Sequence, residues 1–293
     1  MKTPSLAGFT LFTSIVTFFL IVAGALVTST GSGLSVPDWP LSFGQWFPPM
    51  AGGVFYEHGH RVIAGFAGIL IAFQSGWLWL KEERRWLCWL GTSALLCVVL
   101  QAVLGGLTVL YRLPPGISIA HGFLGQTVFC LTAAVAYFSR PAAPESPQKS
   151  WVHPRHPRQL RRLAIFAFLA AYFQLFLGAA YRHAGAERIL HWHMANAAVV
   201  GLAVLLLSLK LVRQYWTRRD LSGLGLVLAV LFAAQVVLGL GSAFPSSLAG
   251  LGWIVRVGVV TAHVALGALL LAGTVLAVAK SFDEFERERT AGP

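Results

Sequence analysis

The chain has 293 residues, of which 56% are hydrophobic and only 11% charged, and its mean hydropathy is +0.69. No water-soluble globular domain sustains that balance, so the sequence is that of an integral membrane protein. A formal charge of +11 would suggest nucleic acid, but the positions of the bases exclude that reading.

Apolar runs long enough to cross about 30 Å of hydrocarbon fall at 8–29, 60–80, 86–110, 118–138, 161–181, 190–210, 222–243 and 256–279. Eight spans place both termini on one side. Of the 22 bases, 17 lie on that side, leaving Arg61, Arg112, Arg182, Arg188 and Arg256 opposite. The positive-inside rule then predicts cytoplasmic termini, so the charge orients the chain in a lipid bilayer. The residues before the first run carry a single lysine, too few bases for a mitochondrial transit peptide, and the run itself is too long for the core of a signal peptide; a bacterial plasma membrane is expected. Cys88, Cys97 and Cys130 lie inside spans without metal-binding spacing and are expected as small core residues.

Between the first and second runs lies an outer loop at 30–56, where residues 31–57 read GSGLSVPDWPLSFGQWFPPMAGGVFYE. The prolines forbid a helix, while Trp39, Trp46 and Phe47 are too apolar for a solvated tether. A lid over the outer face of the first half is predicted. The Pro- and Arg-rich stretch 141–162 is the long cytoplasmic connection, with His153 and His156 as solvated loop residues. It divides the chain into 1–140 and 163–293. The halves match as an internal duplication: Gln101 and Gly105 of the third run correspond to Gln235 and Gly239 of the seventh. The interval from His60 to Gln101 is 41 residues, and from His193 to Gln235 it is 42. The expected fold is all-α, two tandem four-helix bundles related by a pseudo-twofold axis along the membrane normal.

The chemistry is carried by histidines written twice. His60 and His121 in the first half correspond to His193 and His263 in the second, each on a span beginning at the outer surface. Ionisable groups at this depth are costly and usually functional, and two imidazoles on facing helices can hold one iron from both sides. Two haem sites are therefore expected. Each histidine is followed one turn later by a small residue, Ala64, Gly125, Ala197 or Gly267, which would let a macrocycle pass close to the backbone. His58 and His191 also correspond, but two positions along a helix turn about 200° away, so they are assigned to the membrane interface. Glu57 breaks the symmetry, because Leu190 occupies its place in the second half. A carboxyl group on the face of His60 suits proton transfer or stabilisation of positive charge, making the first bundle reactive and the second an electron-transfer site.

The segment from Gly31 to Pro40, then Gly44-Gln45-Trp46, Glu57-His58-Gly59-His60-Arg61 and the paired His121, His193 and His263 resemble the haem A synthase family over nearly the whole chain. That resemblance implies oxidation of the C8 methyl of haem O to the formyl of haem A through an alcohol, with water supplying oxygen. It implies that His60 and His121 hold the substrate haem, with Arg61 as a further binding residue, that Glu57 is essential, and that His193 and His263 hold a haem b. Contact with haem O synthase and homo-oligomerisation are expectations of the same kind. Many bacterial members carry a cysteine pair in the first outer loop where this chain has Val36 and Ser42, so a thiol role is absent here. Two rival readings use the same ligands: a quinol-linked di-haem carrier, and a haem transporter or chaperone. The single-sided Glu57 and lid argue against the symmetry of the first.

Overall fold

A computed structural model describes residues 4–140, 157–244 and 250–291. Its helices are α1 (Pro4–Ser29), α2 (Gly53–Lys81), α3 (Arg85–Leu110), α4 (Pro115–Phe138), α5 (Pro157–Ala184), α6 (Glu187–Gln214), α7 (Arg219–Ala243) and α8 (Trp253–Ala291). All eight are long and apolar enough to cross a membrane. Leu11, Phe12, Phe73, Leu80, Leu96, Val230 and Val237 are exposed on the outer faces, as lipid-facing positions require.

The helices pack in two rings. In the first, α1, α2, α3 and α4 each touch the next and α4 returns to α1; α5 to α8 repeat the pattern. The rings meet through α1 with α8, α4 with α5, and α4 with α8. Because α1 corresponds to α5 and α4 to α8, the first two contacts exchange under a twofold rotation and the third maps onto itself. The fold is thus two tandem four-helix bundles related by a pseudo-twofold axis. Leu160, Val204, Leu207 and Leu228 anchor the core of the second ring, and Ile71, Leu78, Leu87 and Val135 pack within the first. At the seam, Ala268 and Ala272 of α8 meet Phe129 of α4, with Phe18 and Ile21 of α1 against them. Small residues there allow close backbone approach.

Helix α8 runs on to Ala291 rather than 279, and two further boundaries differ in ways that bear on the loop and the linker. Helix α2 starts at Gly53 rather than 60, because the glycine pair that suggested a loop divides the work. Gly52 takes the left-handed turn at φ 56°, while Gly53 already lies in the helix, where a side chain would collide with Ser35. The outer loop therefore ends at Gly52. Helix α5 starts at Pro157, inside the stretch read as linker; proline suits the first helical turn, and Arg158, Arg161 and Arg162 are good helix formers. Most of that stretch, with His153 and His156, lies outside the described residues.

The candidate site: paired imidazoles seated on glycines

Each even-numbered helix carries its histidine six to ten residues from its start, roughly 9 to 15 Å inside at 1.5 Å per residue. Each odd-numbered helix places a glycine at the matching level. A methyl group on Gly24 would lie 3.1 Å from Cε1 of His60, and methyl groups on Gly105, Gly178 and Gly239 would each lie 3.0 Å from Cε1 of His121, His193 and His263. Four helical hairpins thus repeat one device, an imidazole edge resting on bare backbone. In three of them a glutamine one turn before the glycine donates to the carbonyl of the histidine: Gln101 to His121 at 2.8 Å, Gln174 to His193 at 2.9 Å and Gln235 to His263 at 2.7 Å. Leu20 stands at that place in the first hairpin.

Two of the small residues following the histidines face the glutamines. A side chain on Gly125 would meet Gln101 Nε2 at 3.0 Å, and one on Gly267 would meet Gln235 Nε2 at 3.4 Å. These two glycines make room for the glutamine amides, while the imidazoles themselves rest on Gly105 and Gly239.

Helix packing brings the histidines together in pairs. The rings of His193 and His263 lie 6.4 Å apart between centres, with an interplanar angle of 77°, and His60 is within electrostatic range of His121. On all four rings Nδ1 is buried without a hydrogen-bond partner. A metal held from both sides at about 2 Å per bond places imidazole centres roughly 6 to 6.5 Å apart. The second pair has that spacing, and each ring retains an unanswered buried nitrogen, so the donor set fits a planar metal group bound from both faces. Gln174 also stands 3.2 Å from Nε2 of His193, and Asn196 fixes its amide through a 2.8 Å bond to Oε1.

Over the first pair lies the loop 30–52, latched by Glu57 and Arg61. Glu57 is 4% exposed; one oxygen accepts from the Val36 N–H at 2.9 Å and the other from Arg61 at 2.6 Å. Arg61 also donates to the carbonyls of Asp38 and Leu41, both at 2.7 Å. Asp38 closes the loop by accepting from the N–H groups of Phe43 and Gly44, and the Gly44 bond, foremost, holds its carboxyl below the ordinary value. Trp39 packs on Gly106, where any side chain would strike its indole, while Trp46 and Phe47 remain exposed. His58 is buried beneath the loop, its Nδ1 2.8 Å from Ser42 Oγ, rather than at a membrane interface, because the loop folds over the first turns of α2. His191 is exposed. Three features were missed in the sequence: the glycine seats, Gln174, and the pair Arg182 and His183 at the seam. The spacing Gln-x-x-x-Gly, present at Gln174 and Gly178 as well as in the two copies noticed, could have revealed the first two.

The seat makes a testable requirement. Replacing Gly178 with Ala is expected to leave the helices intact, since alanine favours helix by about 1 kcal/mol over glycine. It should nevertheless weaken retention of a metal group at His193 roughly tenfold to a hundredfold, the usual cost of disturbing the support of a ligand. Gly223→Ala, with nothing within 4 Å of the added methyl, is the control, and absorption titration of both variants is the measurement.

Two four-helix rings of membrane length, with a pair of imidazoles inside each, define an all-α polytopic membrane protein. The sequence profile of the cytochrome oxidase assembly proteins, COX15-CtaA, matches residues 7–196, about two thirds of the chain. The chain belongs to this family. Among its relatives, heme A synthase of Symbiobacterium thermophilum is 29% identical over 253 residues, covering 75% of this chain and 79% of that one. Heme A synthase of Alkalihalophilus pseudofirmus is 24% identical over 271 residues, 84% and 90% of the two chains. Heme A synthase of Bacillus licheniformis is 34% identical over 109 residues, and the matched stretch spans just over a third of that protein, 36% of each chain. Eight membrane-length helices and bacterial relatives make this a multi-pass plasma-membrane protein.

Proposed function

We propose that this protein is a haem A synthase, an oxidoreductase that converts the C8 methyl of haem O into the formyl of haem A for terminal oxidases. The observation that carries the reading is the asymmetry of two otherwise repeated sites. Both rings bury paired imidazoles, but among the described residues only the first lies under a loop latched by a buried carboxylate. In this reading residues 1–140 form the substrate bundle, 163–293 form the bundle holding a resident haem b, and 141–162 connect them on the cytoplasmic side. His60 and His121 hold the substrate haem, with Arg61 beside it, and His193 and His263 hold the haem b. A resident haem supplies one-electron transfer.

Going from CH3 to CHO with water as the oxygen source releases four protons and four electrons, so the substrate bundle needs a route for each. Glu57 is the ionisable side chain nearest in sequence to His60 on its own helix face, and it is our candidate for moving protons. Seated under the loop, the reacting edge is shielded from bulk solvent, which the Trp39 contact with Gly106 helps to secure. The electrons leave toward the second ring. Haem O is expected to arrive from haem O synthase by direct contact within the bilayer.

Incubating the purified protein with haem O and an electron acceptor, then extracting the haem for mass spectrometry, tests the reading. Haem A or its alcohol precursor is the expected product. Recovery of unchanged haem O alone would instead favour a transporter, and two permanently bound haem b groups would favour an electron carrier.

A further inference from the structure

At the seam between the rings lies a cation that the reading above does not use. Arg182, on the last turn of α5, is half-buried. Its Nη2 donates to the Ala25 carbonyl at 3.2 Å and to Ser29 Oγ at 2.9 Å, both on α1; Thr261 of α8 also reaches Ser29 Oγ, at 3.3 Å. Among the described residues no carboxylate pairs with it. The acids at this end are engaged elsewhere or exposed: Asp38 with Phe43 and Gly44, Glu57 with Val36 and Arg61, and Glu187 on the surface. Nε and Nη1 of Arg182 have no protein acceptor among the described residues. A guanidinium in such a place is costly without an anion, and its fork geometry suits the paired oxygens of a carboxylate.

The position says which site it serves. Arg182 stands one turn beyond Gly178, the seat of His193, on the same face of α5, and it shares Ser29 Oγ with Thr261, two residues before His263 on α8. Matching Gly178 to Gly24 puts Thr28 where Arg182 stands, so the first half lacks this cation. His183, next in sequence, points the other way, toward Gly122 of α4, where an added methyl would lie 3.6 Å from its Nε2.

We propose that Arg182 anchors a carboxylate of the macrocycle bound between His193 and His263, and so fixes the rotation of that ring about the axis through its iron. The proposal rests on the haem reading of the second bundle. A charge-assisted hydrogen bond contributes enough to predict a preference of roughly tenfold to a hundredfold for a ring with free carboxylates over one with esterified carboxylates.

The test is reconstitution of the full-length protein, produced without haem and carrying His60→Ala so that only the second site fills. It is titrated with iron protoporphyrin and with its dimethyl ester, and followed by the Soret band. The parent should favour the diacid by the factor above, Arg182→Gln should bind both rings with less than about a threefold difference, and Arg182→Lys should keep part of the preference. Ser29→Ala removes the shorter of the two bonds to α1 while sparing the guanidinium and should keep it fully, which guards against a variant that merely loosens the seam. A full diacid preference in Arg182→Gln, or none in the parent, overturns the proposal and leaves Arg182 as a strut between α5 and α1. Uptake of neither ring by the parent would instead overturn the haem reading on which the proposal stands.

Discussion

His193→Ala and His263→Ala are each expected to abolish a low-spin haem signal while leaving the first bundle able to bind haem, halving the haem bound per protein. The two rings lie 6.4 Å apart between centres, the spacing of imidazoles that share one metal, so either truncation leaves the metal with one protein ligand and ends the low-spin state. Independence of the two sites follows from the architecture. Each histidine pair is contributed by the even-numbered helices of its own ring, and each imidazole rests on a glycine of the preceding helix in the same ring, so neither site borrows a ligand from the other. His191→Gln is the control: that residue is exposed and should retain the signal. Electron paramagnetic resonance of the purified variants is the measurement. Loss of all haem in either single variant would show that the sites are not independent, and retention in His193→Ala with loss in His191→Gln would reverse the choice between the two.

Much of this arrangement is legible in the sequence because it depends on long-period patterns. Eight apolar runs, the repeated Gln101 and Gln235, and the four histidines in register survive without knowledge of tertiary contacts, since hydrophobic length and duplication are properties of the chain itself. What escaped the reading depends on which residue faces which across a helix pair. Gly125 and Gly267 were noticed as small, but a small residue does not reveal what fills the space beside it; the glutamines do, and the seats for the rings lie on the opposite helices at Gly24, Gly105, Gly178 and Gly239. The start of α2 was placed late because Gly52 and Gly53 look alike in sequence while only Gly52 adopts the left-handed conformation. Arg182 resembled a loop-end base, and its burial arises only when α5 meets α1. Helical phase separates His58 from His60, yet the partner of His58, Ser42, belongs to a loop whose path no periodicity encodes.

Glu57→Gln is expected to preserve the fold and the haem of the second bundle but to slow conversion of haem O by about 100-fold to 10,000-fold, the range for loss of a general acid or base. Haem O or its alcohol should then accumulate in extracts. The substitution is informative because of what surrounds the carboxylate. Glutamine keeps an oxygen that can accept from the Val36 N–H, now made at 2.9 Å, and Arg61 keeps the carbonyls of Asp38 and Leu41, so the loop retains most of its anchors. What is removed is the charge opposite Arg61 and the ability to take and release a proton. The same geometry defines a competing role. Since both carboxylate oxygens are occupied, by Val36 and by Arg61, Glu57 could act solely as the latch that holds the loop over the first pair of histidines. The latch role predicts that Glu57→Gln loosens the loop, raising the rate of proteolysis within residues 30–52 in step with the loss of turnover. The proton-transfer role predicts a large loss of turnover with the loop still protected. Turnover near the parent value would remove Glu57 from the chemistry altogether, and with it the main support for assigning the reactive site to the first bundle.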